Sequence, residues 1–175
     1  AMVNEGLSLE AAHARLYYID SKGLVTKGRD GIKPHAKPFA TEHAPMSFEE
    51  AVRTLKPDAL IGATGQPGIF SEAIITAMGE QNEHPIIFAL SNPTSNAECT
   101  AEEAYEWTNG KAIFASGSPF GAVHVHGEVR VPGQGNNAYV FPGLGLGAIY
   151  GKVTRITDDL LIAAARELPA VTFLI

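Results

Sequence analysis

Pro85-Ile86-Ile87-Phe88-Ala89-Leu90-Ser91-Asn92-Pro93-Thr94 contains an apolar run with no polar break, ending abruptly in Ser-Asn-Pro-Thr. Its length and lack of alternation fit a strand covered on both faces in a parallel sheet. Similar runs at residues 16–19, 59–61 and 112–115 predict three more strands. Between them the pattern turns helical at residues 47–55, 71–78 and 100–107. Ser47 with Glu50, and Thr100 with Glu103, have the spacing of capping boxes. Strand and helix therefore alternate, which predicts an α/β layered domain with right-handed crossovers.

Such sheets bind ligands beyond the carboxyl ends of their strands. The polar clusters fall there: Asp20-Ser21, Gly62-Ala63-Thr64-Gly65, Ser91-Asn92-Pro93 and Ser116-Gly117-Ser118. The stretch Pro132-Gly133-Gln134-Gly135-Asn136-Asn137-Ala138-Tyr139-Val140-Phe141-Pro142-Gly143 adds two adjacent amides. They stand behind a flexible Gly-Gln-Gly lead-in and ahead of an apolar stretch, so both carboxamides can sit at the mouth of a helix and hold an anion. Asn92 and Asn136 each donate to a carboxylate or hydroxyl without adding charge. A lone Asn in such a place is equally good turn chemistry, and it is their number at strand ends and helix starts that favours a polar ligand site. Asn137 either caps the helix or reaches a carboxamide-bearing cofactor.

Asp20 closes Leu16-Tyr17-Tyr18-Ile19, where a carboxylate accepts from the hydroxyls of an adenosine ribose or simply sets an Asp-Ser-Lys-Gly turn. Gly62-Ala63-Thr64-Gly65-Gln66-Pro67-Gly68 is small enough to form the wall for a ribose or nicotinamide. Gly143-Leu144-Gly145-Leu146-Gly147-Ala148 matches a dinucleotide fingerprint, but Pro142 interrupts its junction and Asp158-Asp159 opens a helix. Its glycines read instead as close-packing positions against a neighbouring helix. His124 and His126 alternate as two ligands of one strand face, yet two ligands make a poor metal site and a solvated hairpin accounts for them better. Cys99 reads as a packed thiol, having no local Cys partner or evident base. The residues 21–45, rich in Lys, His, Pro and Gly, read as a surface excursion near a ligand, with a hairpin-like turn at Gly23-Leu24-Val25.

At 175 residues with 45% hydrophobic and 18% charged content, the chain fits one folded domain. A formal charge of −6 without a basic cluster argues against nucleic acid as partner. The single cysteine rules out an intrachain disulfide, and no apolar run approaches the roughly 20 residues of a membrane span. A reducing, soluble compartment fits. Residues 1–14 read as the last turn of a helix, a Gly6 stop, and a short helix capped by Ser8 with Leu9, Ala12 and His13 as the candidates to face inward. The final helix from Asp158 is expected to break at Pro169, leaving 169–175 as an atypical apolar tail. The chain is accordingly expected to be a fragment.

Four motifs together resemble malic enzyme, the oxidative decarboxylase of malate. They are Ile19-Asp20-Ser21-Lys22-Gly23-Leu24-Val25, residues 85–94 with Ala97-Glu98-Cys99, Ala112-Ile113-Phe114-Ala115-Ser116-Gly117-Ser118-Pro119-Phe120, and residues 132–143. The resemblance covers residues 1–165 and implies a Rossmann-like parallel sheet with helices on both faces. That sheet is expected to be incomplete, lacking its first strand and glycine-fingerprint turn, with residues 1–168 as a partial NAD(P)-binding domain. It implies that Asn92 and Asn136 bind malate, that Asn137 lies beside the nicotinamide, that Asp20 and Ser21 bound the ribose pocket, and that Ala63 and Thr64 line the cofactor groove. It further implies malate and pyruvate as substrate and product, a Mg2+ or Mn2+ ion, a homo-oligomer at full length, and a cytoplasmic or mitochondrial matrix location. In the family the base lysine, the tyrosine proton donor and the metal carboxylates lie upstream of these motifs, so the fragment alone is expected to be inactive and only marginally stable. Ser21-Lys22 resembles the NADP-using members and Lys33, His35 and Lys37 can reach a 2′-phosphate, whereas Ala36 stands where those members carry a decisive lysine. The balance leans to NADP over NAD. Two other readings compete: a non-catalytic nucleotide- or carboxylate-binding module, and a hydroxy-acid dehydrogenase without decarboxylation, which would want a catalytic His near the amides.

Overall fold

The computed structural model describes residues 2–172. Its elements in chain order are α1 (Leu9–His13), β1 (Ile19–Asp20), β2 (Gly23–Leu24), α2 (Phe48–Leu55), β3 (Ala59–Gly62), α3 (Glu72–Gln81), β4 (Ile86–Ala89), α4 (Ala101–Trp107), β5 (Ile113–Ser116), β6 (Val123–Val125), β7 (Glu128–Arg130), β8 (Gly133–Gln134), α5 (Phe141–Tyr150) and α6 (Asp158–Thr172). Strands β3, β4, β5 and β8 form one parallel sheet in that order. Because all four run the same way, Gly62, Ala89, Ser116 and Gln134 end at one edge, and the loops that follow them gather there.

Both capping boxes form. Ser47 accepts from the Glu50 amide while Glu50 accepts from that of Ser47, and Thr100 and Glu103 do the same at the start of α4. Each satisfies amide donors that the first turn of a helix cannot pair. Replacing Thr100 by Ala is therefore expected to lower the unfolding free energy by about 1 kcal/mol, read as a shift in urea midpoint; no shift would mean that solvent caps α4 equally well.

The core lies on one side of the sheet. Leu60, Ile87 and Phe114 point into it and meet Val52, Phe70, Ile74, Ile75, Met78 and Tyr105, contributed largely by α2, α3 and α4. On the other side Ile61 and Ile113 are 65% and 52% exposed. The expected helical cover on both faces is thus present on only one among the described residues, although the α/β parallel architecture stands.

Several expectations change in detail. The run at residues 16–19 does not join the sheet: β1 pairs antiparallel with β2 in a separate hairpin, Asp20 opposite Gly23. The fourth parallel strand is β8, in the segment read as a flexible lead-in; Ala115 faces Gly133, and the Gly135 amide donates to the Ser116 carbonyl at 2.9 Å. The residues 21–45 are more than a surface excursion, since Leu24, Val25 and Thr26 are buried and Thr26 bridges Thr41. At the start of the chain Met2 to Gly6 form hydrogen-bonded turns, and Ala1 of the expected helical turn lies outside the described residues. Ser8 caps α1 and Ala12 is buried, but Leu9 is exposed.

The glycines of α5 do not pack closely: a methyl added at Gly143, Gly145 or Gly147 would meet nothing within 4 Å. Nor does α6 break at Pro169, for it continues to Thr172. A proline forfeits one helical hydrogen bond and crowds the preceding turn, a cost that bends or weakens a helix without always ending it. Residues 173–175 of the expected tail lie outside the described residues. No helix among the described residues is long and apolar enough to cross a membrane.

Candidate functional site

The loops after β4, β5 and β8 meet around Gly117 and Ser118. Ser118 donates its hydroxyl hydrogen to Asn92 Oδ1 at 2.8 Å, and Asn136 Nδ2 donates to the Gly117 carbonyl at 2.8 Å. Gln134 Nε2 reaches the same carbonyl at 3.3 Å, and Ser116 Oγ donates to the Ser118 carbonyl at 2.7 Å. Asn136 also accepts from the Ala138 amide at 2.9 Å and so caps the short 3-10 turn Asn137–Tyr139. Asn137 is exposed as the first residue of that turn and does not cap α5, which starts from Val140 with no side-chain cap bond. Asn92 is held through its oxygen and Asn136 through its oxygen and one amide hydrogen, so each keeps an amide hydrogen to donate, an arrangement suited to a carboxylate.

Glycine is required at the centre of this junction. A Cβ at Gly117 would lie 2.3 Å from the Leu90 carbonyl oxygen and 2.6 Å from Asn92 Oδ1. Only a residue without a side chain lets the β4 and β5 loops close on each other.

A second junction joins the β3 and β4 loops through Glu98, whose side chain is fully buried. The Thr64 amide and hydroxyl donate to its Oε1 at 2.7 and 2.8 Å, the Ser91 hydroxyl donates to Oε1, and the Ser91 amide to Oε2 at 3.3 Å. Burial pushes the Glu98 carboxyl pKa up, but the bonds from Ser91 and Thr64 outweigh it and hold it below its ordinary value. Ser91 in turn accepts from the Gly65 amide at 2.8 Å. Ala63, Thr64 and Gly65 remain exposed, and a methyl at Gly65 would meet nothing within 4 Å, so this strand-end turn presents an open wall.

Asp20 and Ser21 lie on the β1–β2 hairpin and make no hydrogen bond to either junction. Arg29 pairs with Asp20 Oδ2 and also donates to the Gly23 and Leu24 carbonyls, while the Lys22 amide donates to Asp20 Oδ1 at 2.9 Å. Burial raises the Asp20 pKa, but the Arg29 and Lys22 hydrogen bonds and charges carry it below its usual value. Asp20 is thus a turn-forming carboxylate that stays ionised. Lys33, His35 and Lys37 are exposed, Ala36 is buried, and His35 lies 3.3 Å from the Tyr18 hydroxyl.

Glu98 and Arg29 have no site role in the sequence pattern, whereas Gly117 and Ser118 belong to the polar cluster expected at the strand ends. The histidine pair does not share a strand face: His124 lies in β6, whereas His126 turns away with a φ of 52° ahead of Gly127 in the β6–β7 hairpin. Among the described residues no group of three or more His, Cys, Asp or Glu side chains can hold a metal ion. Cys99 is buried, and burial with the nearby Glu103 and Glu98 charges raises its thiol pKa, as befits a packed and unreactive thiol.

Known proteins are similar to this chain in sequence. A family model described as "Malic enzyme, NAD binding domain" matches residues 1–173. The mitochondrial NAD-dependent malic enzyme of Ascaris suum is 52% identical over 167 residues, 95% of this chain and 26% of its own length. The chloroplastic NADP-dependent malic enzyme of Zea mays is 49% identical over 162 residues, 91% of this chain and 26% of its own length. The NADP-dependent malic enzyme of Populus trichocarpa is 51% identical over 162 residues, or 91% of this chain and 27% of the relative. The chain thus spans about a quarter of the length of the curated relatives it matches. With a parallel sheet, strand-end amides and that match along nearly all of its residues, the chain belongs to the malic enzyme family as an NAD binding domain.

Proposed function

We propose that the domain, with residues 1–168 as its dinucleotide-binding unit, works within an enzyme that oxidises malate to pyruvate and CO2 using NADP+ in preference to NAD+. The observation that carries this reading is the meeting of Asn92 and Asn136 on Gly117 and Ser118 beyond the carboxyl edge of the parallel sheet. There, Asn92 and Asn136 hold the carboxylates of malate, and Asn137 faces the nicotinamide. Neutral amides suit this task because they donate to a carboxylate without adding charge. Ala63 and Thr64 line the cofactor groove, and Asp20 and Ser21 bound the adenosine ribose. When bound, the cofactor accepts the hydride and a divalent ion supplies Lewis acidity; the ligands of that ion come from other parts of the whole protein. The NADP preference rests on the exposed Lys33, His35 and Lys37 beyond the Asp20 hairpin. The protein acts in the cytoplasm or the mitochondrial matrix.

The test is malate-dependent reduction of NADP+ and NAD+ by a protein carrying this domain at the full length of its relatives. A hydrogen bond to a charged group contributes about 1.5–3 kcal/mol, so Asn92→Ala is expected to lower kcat/KM for malate by about 10- to 100-fold. Failure to oxidise malate, or an Asn92→Ala variant within twofold of the parent, removes the reading. Higher kcat/KM with NAD+ removes the cofactor preference alone.

A further inference from the structure

We infer that Glu98 is a positioning residue that holds the loop facing the cofactor and the loop carrying Asn92 in one fixed register. The inference rests on the malate-oxidising reading above and adds a residue to it.

Burying a carboxylate costs several kcal/mol unless its oxygens are paired, and an apolar side chain would fill the same space more cheaply. What the carboxylate adds is direction. Oε1 takes the amide and hydroxyl of Thr64 and the hydroxyl of Ser91, while Oε2 takes the Ser91 amide. Each loop is thus held twice, once by its backbone and once by its side-chain rotamer. Thr64 lies in the exposed turn after β3, and Ser91 is bonded directly to Asn92.

Two features show that the surroundings are shaped around this group. A Cβ at Gly62 would lie 2.6 Å from both Cγ and Cδ of Glu98, so glycine makes room for the side chain at the end of β3. Ser91 Oγ, while donating to Glu98, accepts from the Gly65 amide at 2.8 Å, which adds a direct tie between the two loops. Glu98 reaches neither malate nor cofactor itself. It acts through Thr64 and Ser91, and hydride transfer is sensitive to the distance they set, because displacements near 1 Å cost on the order of a hundredfold in rate.

The experiment compares Glu98→Gln, Glu98→Ala, Ser91→Ala and the Glu98→Gln/Ser91→Ala double variant in the full-length enzyme, well below their melting temperatures. Gln keeps an oxygen for the three Oε1 bonds but turns an NH2 toward the Ser91 amide. The expected order of kcat is Glu, then Gln about tenfold lower, then Ala lower still, with kcat changing more than KM for malate. The double variant should fall by less than the product of its single effects, because both changes cut the same link. Affinity for the reduced dinucleotide, followed by its fluorescence, should weaken at least threefold in Glu98→Gln. A Glu98→Gln enzyme with kcat within twofold of the parent and unchanged dinucleotide affinity overturns the inference, even if its melting temperature falls. An unsubstituted protein without malate turnover refutes the proposed function instead, and the dinucleotide affinities then decide on Glu98 alone.

Discussion

Gly117→Ala is expected to lower kcat/KM for malate by about a hundredfold or more and the unfolding free energy by about 1–3 kcal/mol. The added methyl would lie 2.3 Å from the Leu90 carbonyl oxygen, 2.8 Å from its carbon and 2.6 Å from Asn92 Oδ1. Two of these are backbone atoms that follow β4, where the Gly117 amide already donates to the Ala89 carbonyl at 3.1 Å. No rotamer change removes such a clash, so the β5 loop must move away from β4. As it moves, the Gly117 carbonyl leaves Asn136 and Gln134, and Ser118 leaves Asn92. One methyl group therefore disturbs both proposed malate ligands. Steady-state kinetics with urea unfolding on the same sample separates the two effects. A variant of unchanged kcat/KM would mean that the junction does not determine where the amides stand.

The parts of this fold legible in the sequence are those whose physics is local. Residues 86–89 read as a buried strand because nothing polar interrupts them, and Thr100 and Glu103 read as a capping box because their geometry is complete within one helical turn. Strand β8 escaped that reading because Gly133 and Gln134 carry no apolar pattern; they pair only because β5 offers an open edge. Leu16 to Ile19 has the apolar run of a strand, yet pairing partners come from tertiary structure, and β1 found its partner across the two-residue turn Ser21-Lys22. For the site, Asn92 and Asn136 could be found because amides at strand ends are conspicuous. Glu98 could not, since its partner Thr64 is 34 residues away and an acid in a loop is ordinarily solvated. The available clue was its setting between Ala97 and Cys99, two residue types that are more often inside.

Glu98→Ala should cost more stability than any other single change discussed above, roughly 2–5 kcal/mol, because it leaves the buried Ser91 amide and the part-buried Thr64 amide without their acceptor, at about 1–3 kcal/mol for a buried donor and less where water reaches it. The pH dependence of that cost has a definite sign. In the folded chain the Glu98 carboxyl pKa lies below its ordinary value, because the hydrogen bonds from Ser91 and Thr64 outweigh the effect of burial. The unfolded chain therefore takes up the proton first as pH falls, at about 4.3. Above that value the carboxylate contributes its full stabilisation, and the contribution disappears as pH drops through the lower folded value. Asp20 shifts in the same direction, so the acid lability of the unsubstituted protein has at least two sources. The difference in urea midpoint between it and Glu98→Gln isolates one of them. That difference should be constant from pH 7 to about 5 and shrink below about 4.3. A difference that widened with acid would mean that the buried carboxyl binds its proton more tightly when folded, and the hydrogen bonds from Thr64 and Ser91 would then be holding a neutral acid.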